Sequence, residues 1–184
     1  MRIISGQYKG RRINPPKKLP VRPTTDMAKE ALFNILNNHY YFDEISVLDL
    51  FAGTGSISYE FASRGTELIT TVDEDFGCIK FINETAEIFD MPITAIKNDV
   101  FKFLENASSQ FTLIFADPPY ASSDEQFGKI AELVFKNNIL EEDGLLVIEH
   151  SKHTDLSQLE NFSYSKHYGG SVFSFFEHLQ PNNK

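Results

Sequence analysis

Apolar and polar positions along the chain follow two different rhythms. Ala28, Ala31, Leu32, Ile35 and Leu36 recur at i, i+3, i+4, i+7 and i+8, the period of a helix with one buried stripe. Thr24, Thr25 and Asp26 precede it and offer N-capping side chains. Short apolar runs then take over, at residues 45–51, 68–73, 93–98, 111–116 and 144–149. Between them lie segments that read as helices: one after Gly55, one over 76–89, a short one near 100–106 and one over 125–137. Short apolar strands separated by helices predict a parallel sheet covered on both faces. The last two runs, 162–168 and 172–177, flank Gly169-Gly170, a favourable hairpin turn. The expected fold is therefore α/β: a doubly wound sheet of five parallel strands closed by a terminal antiparallel hairpin, with its ligand beyond the carboxyl ends of the strands.

The first residues have a different texture. Residues 1–14 alternate loosely and carry Gly6 and Gly10, which suits a small β-hairpin. Residues 14–23 hold four prolines and predict an extended connector. The division expected is an N-terminal extension over 1–23 and a main domain over 24–184.

Composition narrows the class. At 184 residues and 21.0 kDa, with 41% apolar and 23% charged residues, the chain suits one folded domain and excludes wholesale disorder, a fibre or a coiled-coil rod. No apolar run approaches the roughly 20 residues of a membrane helix, and the start is too polar for a signal peptide. Cys78 is the only cysteine, which excludes an internal disulfide or a Cys-rich zinc site. His39, His150, His153, His167 and His178 have no metal-ligand spacing, so no metal is expected. A cytoplasmic protein with no membrane partner is the expectation.

Charge changes the picture more. The net charge is −9, yet residues 1–25 carry Arg2, Lys9, Arg11, Arg12, Lys17, Lys18 and Arg22 with no acid. That segment is +7, which leaves −16 on the remainder (−9 less +7). A basic arm on an acidic body predicts a polyanion held at one edge. A solubilising arm without a partner is the alternative.

Two motifs carry candidate chemistry. The first apolar strand runs into Asp49-Leu50-Phe51-Ala52-Gly53-Thr54-Gly55; glycines at a strand-to-helix turn let backbone approach a ligand. Asp73 ends the next strand, 20 residues beyond Gly53, where a carboxylate can bridge ribose hydroxyls. These features alone fit a dinucleotide oxidoreductase. However, Ser58 stands where the third glycine of that fingerprint belongs, and Asp49 would repel a pyrophosphate while favouring a cation. The fourth strand ends in Asp117-Pro118-Pro119-Tyr120. Two prolines stiffen this turn, remove backbone donors and leave carbonyl acceptors. With a carboxylate and a flat ring, the turn suits an exocyclic amine on a nucleobase.

Together these motifs resemble the Rossmann-like S-adenosylmethionine-dependent methyltransferases that act on amino groups. Residues 1–6, Gly10-Arg11-Arg12, and Arg22-Pro23-Thr24-Thr25-Asp26 through Leu36 are similar to the RsmD-type 16S rRNA (guanine-N2) methyltransferases, and residues 144–150 fit as well. The resemblance implies that S-adenosylmethionine is the cofactor. Phe51, Gly53, Thr54 and Gly55 would pass beneath it, Asp49 would face its amino end and Asp73 its ribose. Asp99 and Val100 would meet its adenine. Asp117 and the Pro118 carbonyl would hold the target amine, and Tyr120 would stack on the guanine. Lys9, Arg11, Arg12, Lys17 and Lys18 would grip rRNA phosphates, with Arg22 lining the site. The implied partner is 16S rRNA in the small ribosomal subunit or its assembly intermediate, and the implied target the guanine numbered 966 in bacterial rRNA. A monomer is implied. Adenine-N6 or protein-glutamine methylation, NAD-dependent oxidation, and a non-enzymatic role in ribosome assembly are the competing readings.

Overall fold

A computed structural model describes residues 1–21 and 24–179. Seven strands form one sheet: β1 (Ser46–Leu50), β2 (Leu68–Asp73), β3 (Ile93–Lys97), β4 (Phe111–Ala116), β5 (Leu140–Ser151), β6 (Phe162–Tyr168) and β7 (Ser171–Phe176). Their order is β3-β2-β1-β4-β5-β7-β6. The first five run parallel; β7 is antiparallel to both β5 and β6. The hairpin thus folds back so that its second strand, not its first, completes the sheet beside β5. Five helices cover the faces: α1 (Asp26–Leu36), α2 (Ser56–Ser63), α3 (Phe76–Phe89), α4 (Val100–Asn106) and α5 (Asp124–Lys136).

Successive strand residues point to opposite faces, and each face has its own core. Val47, Leu113 and Val147 pack with Leu32, Phe33, Phe61 and Ile82 from α1, α2 and α3. Leu48, Ile114 and Leu146 pack with Leu104, Phe127 and Ile130 from α4 and α5. The sheet order reverses between β1 and β4, which opens the ligand crevice of a doubly wound fold at their carboxyl ends. Thr25 caps α1 by accepting from the Ala28 N–H at 3.2 Å, as the sequence suggests. β5 begins earlier than its apolar run. Glu141, Glu142 and Asp143 interrupt the pattern at a solvated edge, while Leu140 still pairs with Phe111 across a register shift.

The N-terminal segment departs from expectation. Its two limbs lie antiparallel around the isolated bridge Arg2↔Arg12, with the Ile3, Gly10 and Ile13 N–H groups bonded to the Arg11, Ile3 and Met1 carbonyls at 3.0, 2.9 and 3.0 Å, but no extended strands form. Gly6 and Gly10 both adopt left-handed φ, and the N–H groups of Gln7 and Tyr8 bond to Ser63 on α2 rather than across the arm. Ile3 and Ile13 are buried in the same core as Leu32 and Phe33.

A buried ion cluster fixes the arm. Glu60, fully buried on α2, accepts from the Ile4 and Ser5 N–H groups at 2.9 and 3.0 Å. It also pairs with Lys29 at 3.5 Å and Arg64 at 3.0 Å. Lys29 donates to the Arg2 carbonyl at 2.6 Å. Burial pushes the Lys29 ammonium below its usual range, and Glu60 offsets part of that effect. Lys29 sits on the apolar face of α1, where periodicity alone leaves no place for a charge.

Candidate active site at the sheet switch point

The loop after β1 turns through left-handed backbone. Phe51 adopts φ 56°, Gly53 φ 56° and Gly55 φ 85°. For a bulky residue such as Phe51 a left-handed φ is an outlier, of the kind that clusters at ligand sites. Its ring meets Phe101 of α4 edge-on at 6.2 Å. A Cβ at Gly55 would fall 2.9 Å from both Tyr59 and Ile82, so glycine is required there. Thr54 is buried beside it.

Acids ring this loop. Asp73, half-buried at the end of β2, accepts the Gly53 N–H at 2.8 Å through one oxygen and the Asp75 N–H at 2.8 Å through the other. Each carboxylate oxygen keeps a further lone-pair site. Burial raises the Asp73 carboxyl above its ordinary range, and these backbone donors lower it in part. Asp49 is only 1% exposed and accepts from Ser58 Oγ at 2.6 Å. Ser58 in turn lies 2.8 Å from Thr71 Oγ1. Burial lifts the Asp49 carboxyl to about 7. Asp49 therefore lies under the loop rather than open to the crevice. Glu74 is exposed, while Asp75 caps α3 by accepting the Cys78 N–H at 2.8 Å. Asp99 caps α4 by accepting the Lys102 N–H at 2.9 Å, with Val100 buried behind it.

Across the switch point, the Asp117 N–H donates to the Leu50 carbonyl at 3.3 Å, which ties the turn after β4 to the loop after β1. Pro118 is buried, whereas Pro119 and Tyr120 are exposed, Tyr120 by 59%. Asp117, Pro118 and Tyr120 line one pocket with Phe127, Glu149, His150, Ser151 and Thr154. Its empty space is about 290 Å³ with the open mouth included. His150 is buried, and burial lowers its imidazolium below the usual range. Nδ1 lies 2.9 Å from the Ser151 carbonyl and Nε2 2.7 Å from Ser174 Oγ. A carbonyl only accepts, so Nδ1 carries the proton and Nε2 accepts from Ser174. Cys78 is buried core, its thiol pushed up to about 12 by burial. It is no nucleophile at neutral pH.

The structure brings Asp49, Phe51, Gly53, Thr54, Gly55, Asp73 and Asp117 to one edge of the sheet, with Asp99 and Val100 at the neighbouring β3–α4 turn. Lys9, Arg11, Arg12, Lys17 and Lys18 are all exposed on the arm and connector. Arg22, expected to line the site, lies outside the described residues. Sequence reasoning passed over Phe127, Ser151, Thr154 and Ser174. They come from three separate elements and the loop after β5, so no local motif marks them. No helix among the described residues is long and apolar enough to cross a membrane. No cluster of three His, Cys, Asp or Glu there could hold a metal.

Comparison with known proteins agrees with this architecture. The family described as Conserved hypothetical protein 95 matches residues 1–177. The chain is 36% identical over 163 residues to "Putative rRNA methyltransferase YlbH" of Bacillus subtilis, covering 86% of each chain. It is 30% identical over 162 residues to "Ribosomal RNA small subunit methyltransferase D" of Escherichia coli, covering 88% of this chain and 76% of that one. Among solved structures, "Putative methyltransferase yhhF" of Escherichia coli superposes with a TM-score of 0.85 at 23% identity, covering 97% and 99% of the two chains. The Thermus thermophilus 16S rRNA N2 G1207 methyltransferase (RsmC), solved with AdoMet and guanosine, gives 0.68 at 19% identity, covering 86% and 45%. The chain thus belongs to the Conserved hypothetical protein 95 family, whose named relatives include the small-subunit rRNA methyltransferase D proteins.

Proposed function

We propose that the protein methylates the exocyclic N2 amine of a guanine in 16S rRNA of the small ribosomal subunit, with S-adenosylmethionine as donor. The observation that carries this reading is the Asp117–Pro118 turn. It is rich in acceptors, lines a pocket with Tyr120, and is hydrogen-bonded to the strand end that leads into the glycine loop. Relatives named as small-subunit rRNA methyltransferases support the substrate class; the target numbered 966 follows from the resemblance alone.

The crevice fits this donor on its own chemistry. Gly53 and Gly55 leave backbone bare at the turn, and Asp49, Asp73 and Asp99 surround it. That acidic setting suits a sulfonium cation and opposes a pyrophosphate. When bound, S-adenosylmethionine supplies a methyl group already activated on positive sulfur. Asp73 offers its remaining lone pairs to the ribose hydroxyls, Asp99 and Val100 flank the adenine, and Asp49 favours the positive end through the loop.

Guanine N2 is a weak nucleophile because its lone pair is delocalised into the ring. Asp117 and the Pro118 carbonyl accept its two N–H bonds, turn the lone pair toward the methyl group and stabilise the charge that develops on nitrogen. Asp117 then takes the proton, directly or through water. Tyr120 stacks on the base, which must be unpaired or flipped out. Residues 1–23 act as the RNA-binding extension of the 24–184 methyltransferase domain. In that role Lys9, Arg11, Arg12, Lys17 and Lys18 hold phosphates and position the base without reading it.

The test is radiolabelled methyl transfer to small subunits from cells lacking the protein, followed by nucleoside mass spectrometry and mapping of the base. N2-methylguanosine is the expected product. N6-methyladenosine, or label in protein instead of RNA, would overturn the reading.

A further inference from the structure

We propose that Glu149 reads the guanine by accepting its N1–H, which makes it the residue that separates a guanine amine from the amines of adenine and cytosine. The inference rests on the guanine-N2 reading above and deepens it.

Glu149 stands next to Asp117 by the register of the sheet. β4 and β5 are parallel and pair Ala116 with Ile148, so the following residues, Asp117 and Glu149, are neighbours at the carboxyl edge. Adjacent strands lie about 4.8 Å apart, and register partners point to the same face. Both residues line the pocket that contains Tyr120. Glu149 is only 8% exposed, so its carboxyl group borders a largely dry space, where a hydrogen-bond acceptor discriminates strongly.

Among the described residues, the rest of the pocket wall adds few donors. Pro118 has no N–H. His150 gives its one proton to the Ser151 carbonyl, and its other nitrogen accepts from Ser174. Ser151 and Thr154, on the same wall, carry hydroxyls that can donate to a carbonyl such as guanine O6.

Two carboxyl groups side by side suit a base edge with contiguous donors. Guanine provides one, since N1–H adjoins the N2 amine. In adenine the amine adjoins the N1 lone pair, and in cytosine the N3 lone pair. Either would face the Glu149 carboxylate without a proton between them. A site built around an N–H rejects analogues that lack it by large factors.

The test uses small subunits reconstituted with either guanine or 2-aminopurine at the methylated position. 2-Aminopurine keeps the N2 amine but carries a lone pair at N1. The wild-type protein is expected to methylate the guanine particle faster by roughly a hundredfold or more. Glu149→Gln presents an amide N–H to that lone pair. It is expected to lower the guanine rate and raise the 2-aminopurine rate, shrinking the preference at least ~10-fold. Equal losses on both particles, or no change on either, would overturn the proposal. Should Glu149→Gln be insoluble, Glu149→Asp serves instead: the guanine rate falls and the 2-aminopurine rate holds, whereas parallel loss counts against the proposal. Failure of the wild-type protein to form N2-methylguanosine would overturn the parent reading, and is seen before any variant is made.

Discussion

Asp73 accepts the Gly53 N–H at 2.8 Å, a bond that locks the end of β2 to the loop after β1. The same carboxylate holds the Asp75 N–H, and so sets the start of α3 as well. Asp73→Asn loses one of these acceptors, because an amide nitrogen cannot replace a carboxylate oxygen. Hydrogen bonds to charged groups contribute about 1.5–3 kcal/mol. Cofactor affinity by calorimetry is expected to fall about 10- to 100-fold, with a lower Tm. Unchanged affinity would remove Asp73 from the cofactor site.

Asp117→Ala should separate chemistry from cofactor binding. The variant keeps the backbone bond to Leu50 and loses the side-chain acceptor. Methyl transfer is expected to drop by at least ~100-fold, in line with the loss of a positioned acid–base group. S-adenosylmethionine affinity is expected to change less than about threefold. Equal loss of both would place Asp117 in the cofactor site instead.

Asp49 makes cofactor binding depend on pH. Its carboxyl titrates near 7 in the fold, far above the unfolded value near 3.9, so the apo protein is largely protonated there below neutrality. A raised acid favours the folded state at low pH, and that contribution fades as pH rises from about 4 to about 7. A cation favours the ionised form. Affinity for S-adenosylmethionine should therefore increase from pH 6 to pH 8, with proton release on binding. S-adenosylhomocysteine has a neutral sulfur but keeps the ammonium at the amino end, and should show a parallel rise. Asp49→Asn should flatten both and raise stability at pH 8 relative to wild type.

The arm's charges can be tested without disturbing its packing. Lys9, Arg11 and Arg12 are exposed and take part in no ion pair among the described residues. Replacing all three with Gln should leave Tm within about 1 °C. It should also reduce the slope of log K against log salt for RNA binding by roughly 2–3. An unchanged slope would place the RNA elsewhere.

Glu60→Ala is expected to destabilise by about 3–5 kcal/mol in urea denaturation, because it strands buried Lys29. Lys29→Met should cost less, since Arg64 still pairs with Glu60 at 3.0 Å. Reversal of that order would show that Lys29, not Glu60, organises the cluster.

Most strands and helices were legible because each carries its own period. Residues 68–73, 76–89, 100–106, 111–116 and 162–168 match their elements end to end. What escaped depends on distant partners. Lys29 breaks the stripe of α1 because its counter-ion comes from α2. β5 hides its first turns behind three acids. The hairpin expected at residues 1–14 is reduced to one bridge and a few cross-arm bonds, because the N–H groups of Ile4, Ser5, Gln7 and Tyr8 find Glu60 and Ser63 instead. Within the site, Asp49 and Asp73 stand at strand ends as the motifs imply. The left-handed Phe51 and the His150–Ser174 bond are backbone and tertiary facts that no residue spacing encodes.

The Glu60 anchor also bears on how such a protein can be dissected. Shearing off the leading residues would strip an interior anion of two amide donors and leave the ammonium beside it without its carbonyl acceptor. A trimmed catalytic body is therefore not a neutral reagent: its defects would report collapse as readily as lost grip on RNA. The handle and the engine are one casting, and only changes to surface charge can interrogate them separately.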